Sequence, residues 1–190
     1  MSFNSLQYFA FFAVVLIVYY RLGVKGQNRL MVVAGSVFYG AFDWRFLFLL
    51  YASIAVDYSV GRGLGSARSS KARKGLVAVS VAFQLGILGF FKYFDFFSRS
   101  VSKVFLLFGL HADAFTLHIL LPVGISFYTF QTLAYVFAVY RRQVEPEPDV
   151  VTFAAFVCWF PQLVAGPIER APSLLPQIQR RRNPPEAAAA

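Results

Sequence analysis

The chain has 190 residues and a formal net charge of +9; 58% of its residues are hydrophobic and only 14% are charged. With 23 Phe, 10 Tyr and a mean hydropathy of +0.59, it is neither a disordered tail nor an ordinary soluble enzyme domain, in which about a quarter of the residues are charged. A lone Cys158 excludes an internal disulfide and any multi-cysteine metal site, and a basic excess in so apolar a chain points to loops held on the cytoplasmic side of a membrane, not to nucleic acid.

Leu6–Leu22 is the first apolar stretch, uncharged from Tyr8 to Tyr20. Arg21, Lys25 and Arg29 follow its core instead of preceding it, and no Ala-x-Ala site appears, so it reads as an uncleaved spanning helix, not a secretory signal. Tyr19 and Tyr20 fall near the interface, where amphipathic rings prefer to sit. Leu30–Phe42 and Phe46–Val60 come next, separated by Asp43, Trp44 and Arg45. Each gives roughly 20 Å of helix against a hydrocarbon core of ~30 Å, and both are read as spans, tilted or in thinned lipid. Ala34, Gly35, Ser36 and Gly40 let the first of them approach a neighbour closely. Asp57, near the cytoplasmic end of the second, is expected to snorkel or pair with Arg62, with a functional role as the alternative.

Gly61–Lys74 reads as a loop carrying Arg62, Arg68, Lys71, Arg73 and Lys74 without an acid. Its Gly61-Arg62-Gly63-Leu64-Gly65 run follows an apolar helix, not the strand a phosphate loop needs, so the glycines are expected to terminate that helix. Leu76–Phe91 is the next spanning candidate; Lys92 and Asp95, three apart on its continuation, are placed to pair. Val101–Leu110 is expected to be a short interfacial helix, and 111–118 a loop in which His111 and His118 are solvated or interfacial.

Leu117–Tyr140 is long enough to cross, yet Pro122 and Gly124 interrupt its start, and Ser126, Tyr128, Thr129, Gln131 and Thr132 load it with polar groups. Unpaired polar groups in hydrocarbon cost several kcal/mol, so this helix must face protein or a wet cavity. Arg141 and Arg142 end it, before an acidic loop from Glu145 to Asp149 that Pro146 and Pro148 keep extended. Val150–Ile168 is broken by Pro161-Gln162 and again by Gly166-Pro167; Arg180-Arg181-Arg182 follow, then Glu186 and four alanines, an uncapped end that reads as a chain cut off as its next helix begins. Placing the basic loops in the cytoplasm puts the N-terminus and Asp43–Arg45 outside. A simple final crossing would carry Arg180–Arg182 outside as well; a re-entrant Val150–Ile168, broken at Pro161, returns them to the inner side.

The interrupted segments carry a recognisable text. Leu121-Pro122-Val123-Gly124-Ile125-Ser126-Phe127-Tyr128-Thr129-Phe130-Gln131, with Tyr135 and Val139-Tyr140-Arg141, and then Phe160-Pro161-Gln162-Leu163-Val164-Ala165-Gly166-Pro167-Ile168, resemble two signatures of the membrane-bound O-acyltransferase family. Phe91–Phe96 and Ser36–Gly40 agree more loosely. Within the family the resemblance is nearest to the branch that acetylates alginate, with the D-alanyl transfer branch of teichoic acids as a cousin, and it covers only the N-terminal part of the family's usual length. Ala138 stands where relatives typically have an acid before the Val-Tyr-Arg ending.

The resemblance implies an all-α, multi-pass protein of the inner (plasma) membrane with about five or six membrane-embedded helices, some interrupted or re-entrant, residues 1–190 forming one membrane domain of a longer acyltransferase. It implies transfer of an acyl group, acetyl in this branch, to a hydroxyl of an extracellular polysaccharide such as alginate. The donor is a cytoplasmic thioester such as acetyl-CoA or an acyl carrier, and a periplasmic or extracellular polysaccharide-modifying protein completes delivery. No bound cofactor, metal or nucleic acid is implied. The family's catalytic His lies in a later segment, in a Trp-His-Gly context that nothing here matches; the role is not transferred to His111 or His118, and the 190-residue chain alone is expected to be inactive. Ser126, Tyr128, Gln131 and Tyr135 either line the acyl passage or tie neighbouring helices together, while Pro161 and Gln162 lean toward the passage. Cys158 is read as a packing residue. Two other functions stay open: a transporter or export scaffold, which the absence of an internal repeat disfavours, and an inactive truncated remnant.

Overall fold

In a computed structural model, residues 5–107, 124–163 and 169–183 are described, and every described element is a helix. The order is α1 Leu6–Arg21, α2 Val24–Gly40, α3 Phe46–Ser66, α4 Ser70–Leu107, α5 Ile125–Tyr140, α6 Val150–Val157, α7 Phe160–Leu163 and α8 Ala171–Ile178. The segment holding His111, His118 and Pro122, the Gly166-Pro167 break and the alanine tail lie outside the described residues, as do the side chains of Asp95 and Pro161.

Short connections force α1 to α4 into an up-and-down series. Ser5 caps α1 by accepting the Tyr8 N–H at 3.2 Å, and Asp43–Arg45 turns α2 into α3 through a close ion pair of 2.7 Å. Bonds from Arg45 hold the Asp43 carboxyl below its ordinary pKa. The expected loop at 61–74 is much shorter. α3 runs on to Ser66 and α4 starts at Ser70, so the three glycines are interior to a helix. They serve close approach instead of termination: a Cβ on Gly61 would run into the Tyr135 ring of α5. The helix tolerates them because that packing offsets glycine's cost of about 1 kcal/mol in a helix interior. The expected interfacial helix at 101–110 is likewise not separate, since residues 101–107 continue α4, which has no Gly or Pro after Gly89 to stop it.

α5 occupies the centre and touches α3, α4, α6 and α8. Its buried side includes Ile125, Tyr128, Gln131, Thr132, Tyr135 and Val139; Tyr135 meets Phe153 of α6 with ring centroids 4.6 Å apart. α5 ends in a two-bond reversal in which Gln143 N–H reaches Ala138 O (2.9 Å) and Arg142 N–H reaches Val139 O (3.0 Å). Arg142 supplies the left-handed residue at φ 59°, a place usually given to glycine.

Around this centre the outer helices present apolar side chains outward. Leu6, Phe9, Val14 and Ile17 of α1 and Phe48 of α3 are exposed. In α4, Ser70–Tyr93 is long and apolar enough to cross a membrane, the one such helix among the described residues, and only 17% of its most apolar window is buried.

The chain breaks after α6, but one turn earlier than Pro161. Cys158 and Trp159 interrupt it, and Pro161 sits inside the first turn of α7, where its missing N–H costs nothing. At the break Gly35 of α2 lies so close to Cys158 that a Cβ would collide with the Cys158 carbonyl. Cys158 is fully buried and unoxidised, a packing residue.

Candidate functional site

Ending α6 at Val157 leaves its last carbonyls without helical partners. Gln131 of α5 supplies one donor, its Nε2 bonding Phe156 O at 2.7 Å. One turn on, Tyr135 Oη accepts the Glu147 N–H at 3.0 Å. One turn back, Tyr128 is fully buried with its ring edge-on to Tyr39 of α2, centroids 6.1 Å apart. Three of the four candidate residues on α5 therefore form one buried stripe facing α2, α6 and the 141–149 loop. The fourth, Ser126, is half-buried in the first turn, and Gln162 is half-buried in α7.

At the basic end a polar clasp joins pieces distant in sequence. Asp149 caps α6, accepting the Thr152 N–H at 3.0 Å and the Thr152 hydroxyl at 2.6 Å. That hydroxyl bond is the main reason its carboxyl is held below the ordinary carboxylate pKa. Asn28 of α2 donates to Thr152 Oγ1 (3.1 Å) and accepts from Arg182 Nη2 (2.6 Å). Gln27 accepts from the Arg182 backbone and donates to its carbonyl at 2.7 Å. Glu147, buried, takes the Gln179 amide at 2.6 Å and the Asp149 N–H at 3.0 Å. Asn28 thus touches both ends of segment 150–182, which starts and finishes at the same end of the bundle.

The other basic junctions lie at that end too. Arg73, at the start of α4, donates to Leu64 O (2.5 Å) and Tyr140 O (2.7 Å), closing the ends of α3 and α5 with the positive charge that helix C-termini favour. Tyr58 reaches Pro148 O at 2.6 Å. Lys25 and Arg29 border a cavity of about 430 Å³ floored by Asn28, Asp149, Thr152 and Gln179.

Asp57 departs from expectation. It neither snorkels nor pairs with Arg62; it is fully buried between α3, α4 and α5. Ser80 donates to Oδ1 at 2.6 Å and Gln84 Nε2 to Oδ2 at 2.7 Å, and Thr132 of α5 bonds the same carboxylate. A buried acid costs little only when hydrogen-bonded, and here neighbouring helices provide the donors. In the sequence the only sign of these two partners on α4 is that Ser80 and Gln84 stand four apart in an otherwise apolar run. Gln27 and Asn28 were missed because the basic residues around them masked a buried pair.

The chain has relatives among known proteins. It is 40% identical over 176 residues to a protein of Pseudomonas aeruginosa named "probable alginate O-acetylase AlgI", and 38% identical over 177 residues to one of the same name in Pseudomonas putida; each alignment takes in 91% of this chain. These likenesses, spread over nearly the whole chain, agree with its resemblance to the membrane-bound O-acyltransferase family. A peptidoglycan O-acetyltransferase of Helicobacter pylori is 29% identical over 204 residues, 92% of this chain. The chain spans about a third of the length of these curated relatives: 33%, 36% and 38%. No family model and no solved structure matches it. Two acceptors appear among the acyltransferase names, so O-acetyl transfer is the shared statement and the acceptor is not.

Proposed function

We propose that this chain is membrane-embedded machinery of an O-acetyltransferase that moves an acetyl group from a cytoplasmic activated donor, a thioester such as acetyl-CoA or an acyl carrier, to a hydroxyl of an extracellular polysaccharide, alginate being the first acceptor to test. The observation that carries the reading is the 40% identity to an alginate O-acetylase across nearly the whole chain. Residues 1–190 form one multi-pass domain of the inner membrane, with α1 to α5 crossing and segment 150–182 re-entrant. The outward apolar faces of α1, α3 and α4 support that placement, as does the gathering of basic junctions at one end.

In this reading Tyr128, Gln131, Tyr135 and Gln162 stand along the acyl passage with Ser126 and Pro161 at its turns. Gln131 acts as a positioning residue, fixing α6 where its helix breaks. A hydroxyl attacks an acyl carbon poorly until a base takes its proton; by resemblance that base is a His of a later segment, so residues 1–190 alone do not transfer acetyl. A polysaccharide-modifying protein outside the membrane completes delivery.

The test is complementation. An alginate-producing strain lacking its own O-acetylase receives the full reading frame containing this sequence, and the acetyl content of the polymer is read by proton NMR. Restored acetylation is expected from the full frame and none from residues 1–190. Acetylated peptidoglycan beside bare alginate would redirect the acceptor, and activity of residues 1–190 alone would contradict the placement of the base.

A further inference from the structure

A groove of about 370 Å³ runs between α1, α2, the Cys158–Trp159 break and α8. Val15, Met31, Phe160 and Leu174 make its walls apolar. At its basic end the lining changes: Arg182 lies across two rings, its guanidinium carbon 5.2 Å from the Tyr19 centroid and 5.9 Å from that of Trp159. Nε and Nη2 of that guanidinium are spoken for by Gln27 and Asn28. Nη1 is buried without a partner, and so is the hydroxyl of Tyr19, a residue only 7% exposed. Among the described residues the one ion pair is Arg45–Asp43, so no described carboxylate pairs with Arg182.

Two unpartnered buried polar groups, on two residues that line one apolar groove, are costly unless an acceptor meets them. The ligand that fits is amphiphilic, with an acyl chain for the groove and a negatively charged oxygen for Nη1 and the Tyr19 hydroxyl. We infer that this groove is a binding site for one anionic phospholipid, its phosphate on Arg182 and Tyr19 and one chain along Val15 and Leu174. The occupant is a lipid of the surrounding bilayer because α1, which forms one wall, is otherwise exposed along its apolar side, and because the charged mouth lies at the level of the basic junctions, where anionic headgroups gather. The inference rests on the membrane placement proposed above. It adds a structural lipid at the seam where segment 150–182 returns to α1 and α2.

Trp159 provides the readout. In a Trp44→Phe background, which removes the other tryptophan, the chain is placed in phosphatidylcholine nanodiscs doped with either phosphatidylglycerol or phosphatidylcholine brominated on the acyl chain. The brominated phosphatidylglycerol should half-quench Trp159 at about a fivefold lower mole fraction than the brominated phosphatidylcholine. Tyr19→Phe keeps the ring under Arg182 and deletes only the unpartnered hydroxyl; it should shrink that preference, and Arg182→Gln should abolish it, with helix content unchanged by circular dichroism. Equal quenching by the two lipids, or a preference intact in both variants, overturns the site while leaving the membrane placement standing. Displacement by palmitoyl-CoA at lower mole fraction than phosphatidylglycerol also overturns it, assigning the groove to a donor. A chain that fails to enter the discs overturns both.

Discussion

Asp57 and Asn28 stand at the centres of two buried polar clusters that are built in opposite ways. Around Asp57 the donors are side chains of regular helices, Ser80 and Gln84 one turn apart on α4 and Thr132 on α5. Around Asn28 the partners come from irregular chain: a helix cap at Asp149, a backbone stretch at Arg182 and the first turns of α2 and α6. The first cluster fixes which faces of three long helices meet. The second pins a broken segment whose own helices are too short to hold it, α6 and α8 having eight residues each and α7 four. Substitutions in the first should therefore cost the whole bundle, and substitutions in the second should release one segment.

The largest effect belongs to Asp57→Ala, which strands the Ser80 and Gln84 donors. We expect a loss of about 3 kcal/mol in denaturant unfolding followed by far-ultraviolet circular dichroism in detergent, against less than ~0.5 kcal/mol for Arg62→Gln, a surface change. Equal losses would restore the Asp57–Arg62 pair. Asn28→Ala should cost about 2 kcal/mol, yet its signature is local: limited proteolysis should cut within 179–183 while α1 to α5 stay intact. Global unfolding at the same denaturant concentration would erase the distinction between the clusters.

A smaller effect is expected from the α6 cap, where Asp149→Ala should cost about 1 kcal/mol. Because the folded carboxyl titrates below its ordinary value of 3.8, its contribution is fully present above that pH and fades as pH falls through the lower folded value. The proteolytic site at 179–183 should therefore open below pH 3.8 in the native chain, and the Asp149→Ala variant should show no such acid step. Smallest, and opposite in sign, is Arg142→Gly. It relieves a left-handed residue and should stabilise the chain by about 1 kcal/mol, read as a raised unfolding midpoint.

The contrast also explains what was legible in the sequence. Apolar run lengths located α1, α2, α3, α5 and most of α4, because burial and lipid both demand long apolar faces. The polar load of α5 marked it as enclosed, and Tyr128, Thr129, Gln131 and Thr132 are all buried. Helix ends were harder. Gly61, Gly63 and Gly65 look like terminators along the chain, and only the Tyr135 ring against Gly61 shows why glycine is needed inside a helix. Pro161 suggested the break, but the interruption falls at Cys158–Trp159, since proline suits the first turn of α7. Long-range polar pairing was invisible: Asn28 and Arg182 are separated by 154 positions, and nothing in either neighbourhood announces the other. For Gln131 and Tyr135, sequence could name the polar groups but not that Phe156 O and Glu147 N–H would meet them.

The claim on which the account rests is that segment 150–182 leaves and returns at one end of the bundle. Single cysteines at Ser69, Arg181 and Trp44, each in a Cys158→Ala background, can be labelled with a membrane-impermeant maleimide in sealed, oriented vesicles. Ser69→Cys and Arg181→Cys should react from the same, cytoplasmic face, and Trp44→Cys from the opposite one. Labelling of positions 69 and 181 from opposite faces would contradict the return of the broken segment and the clasp built on it.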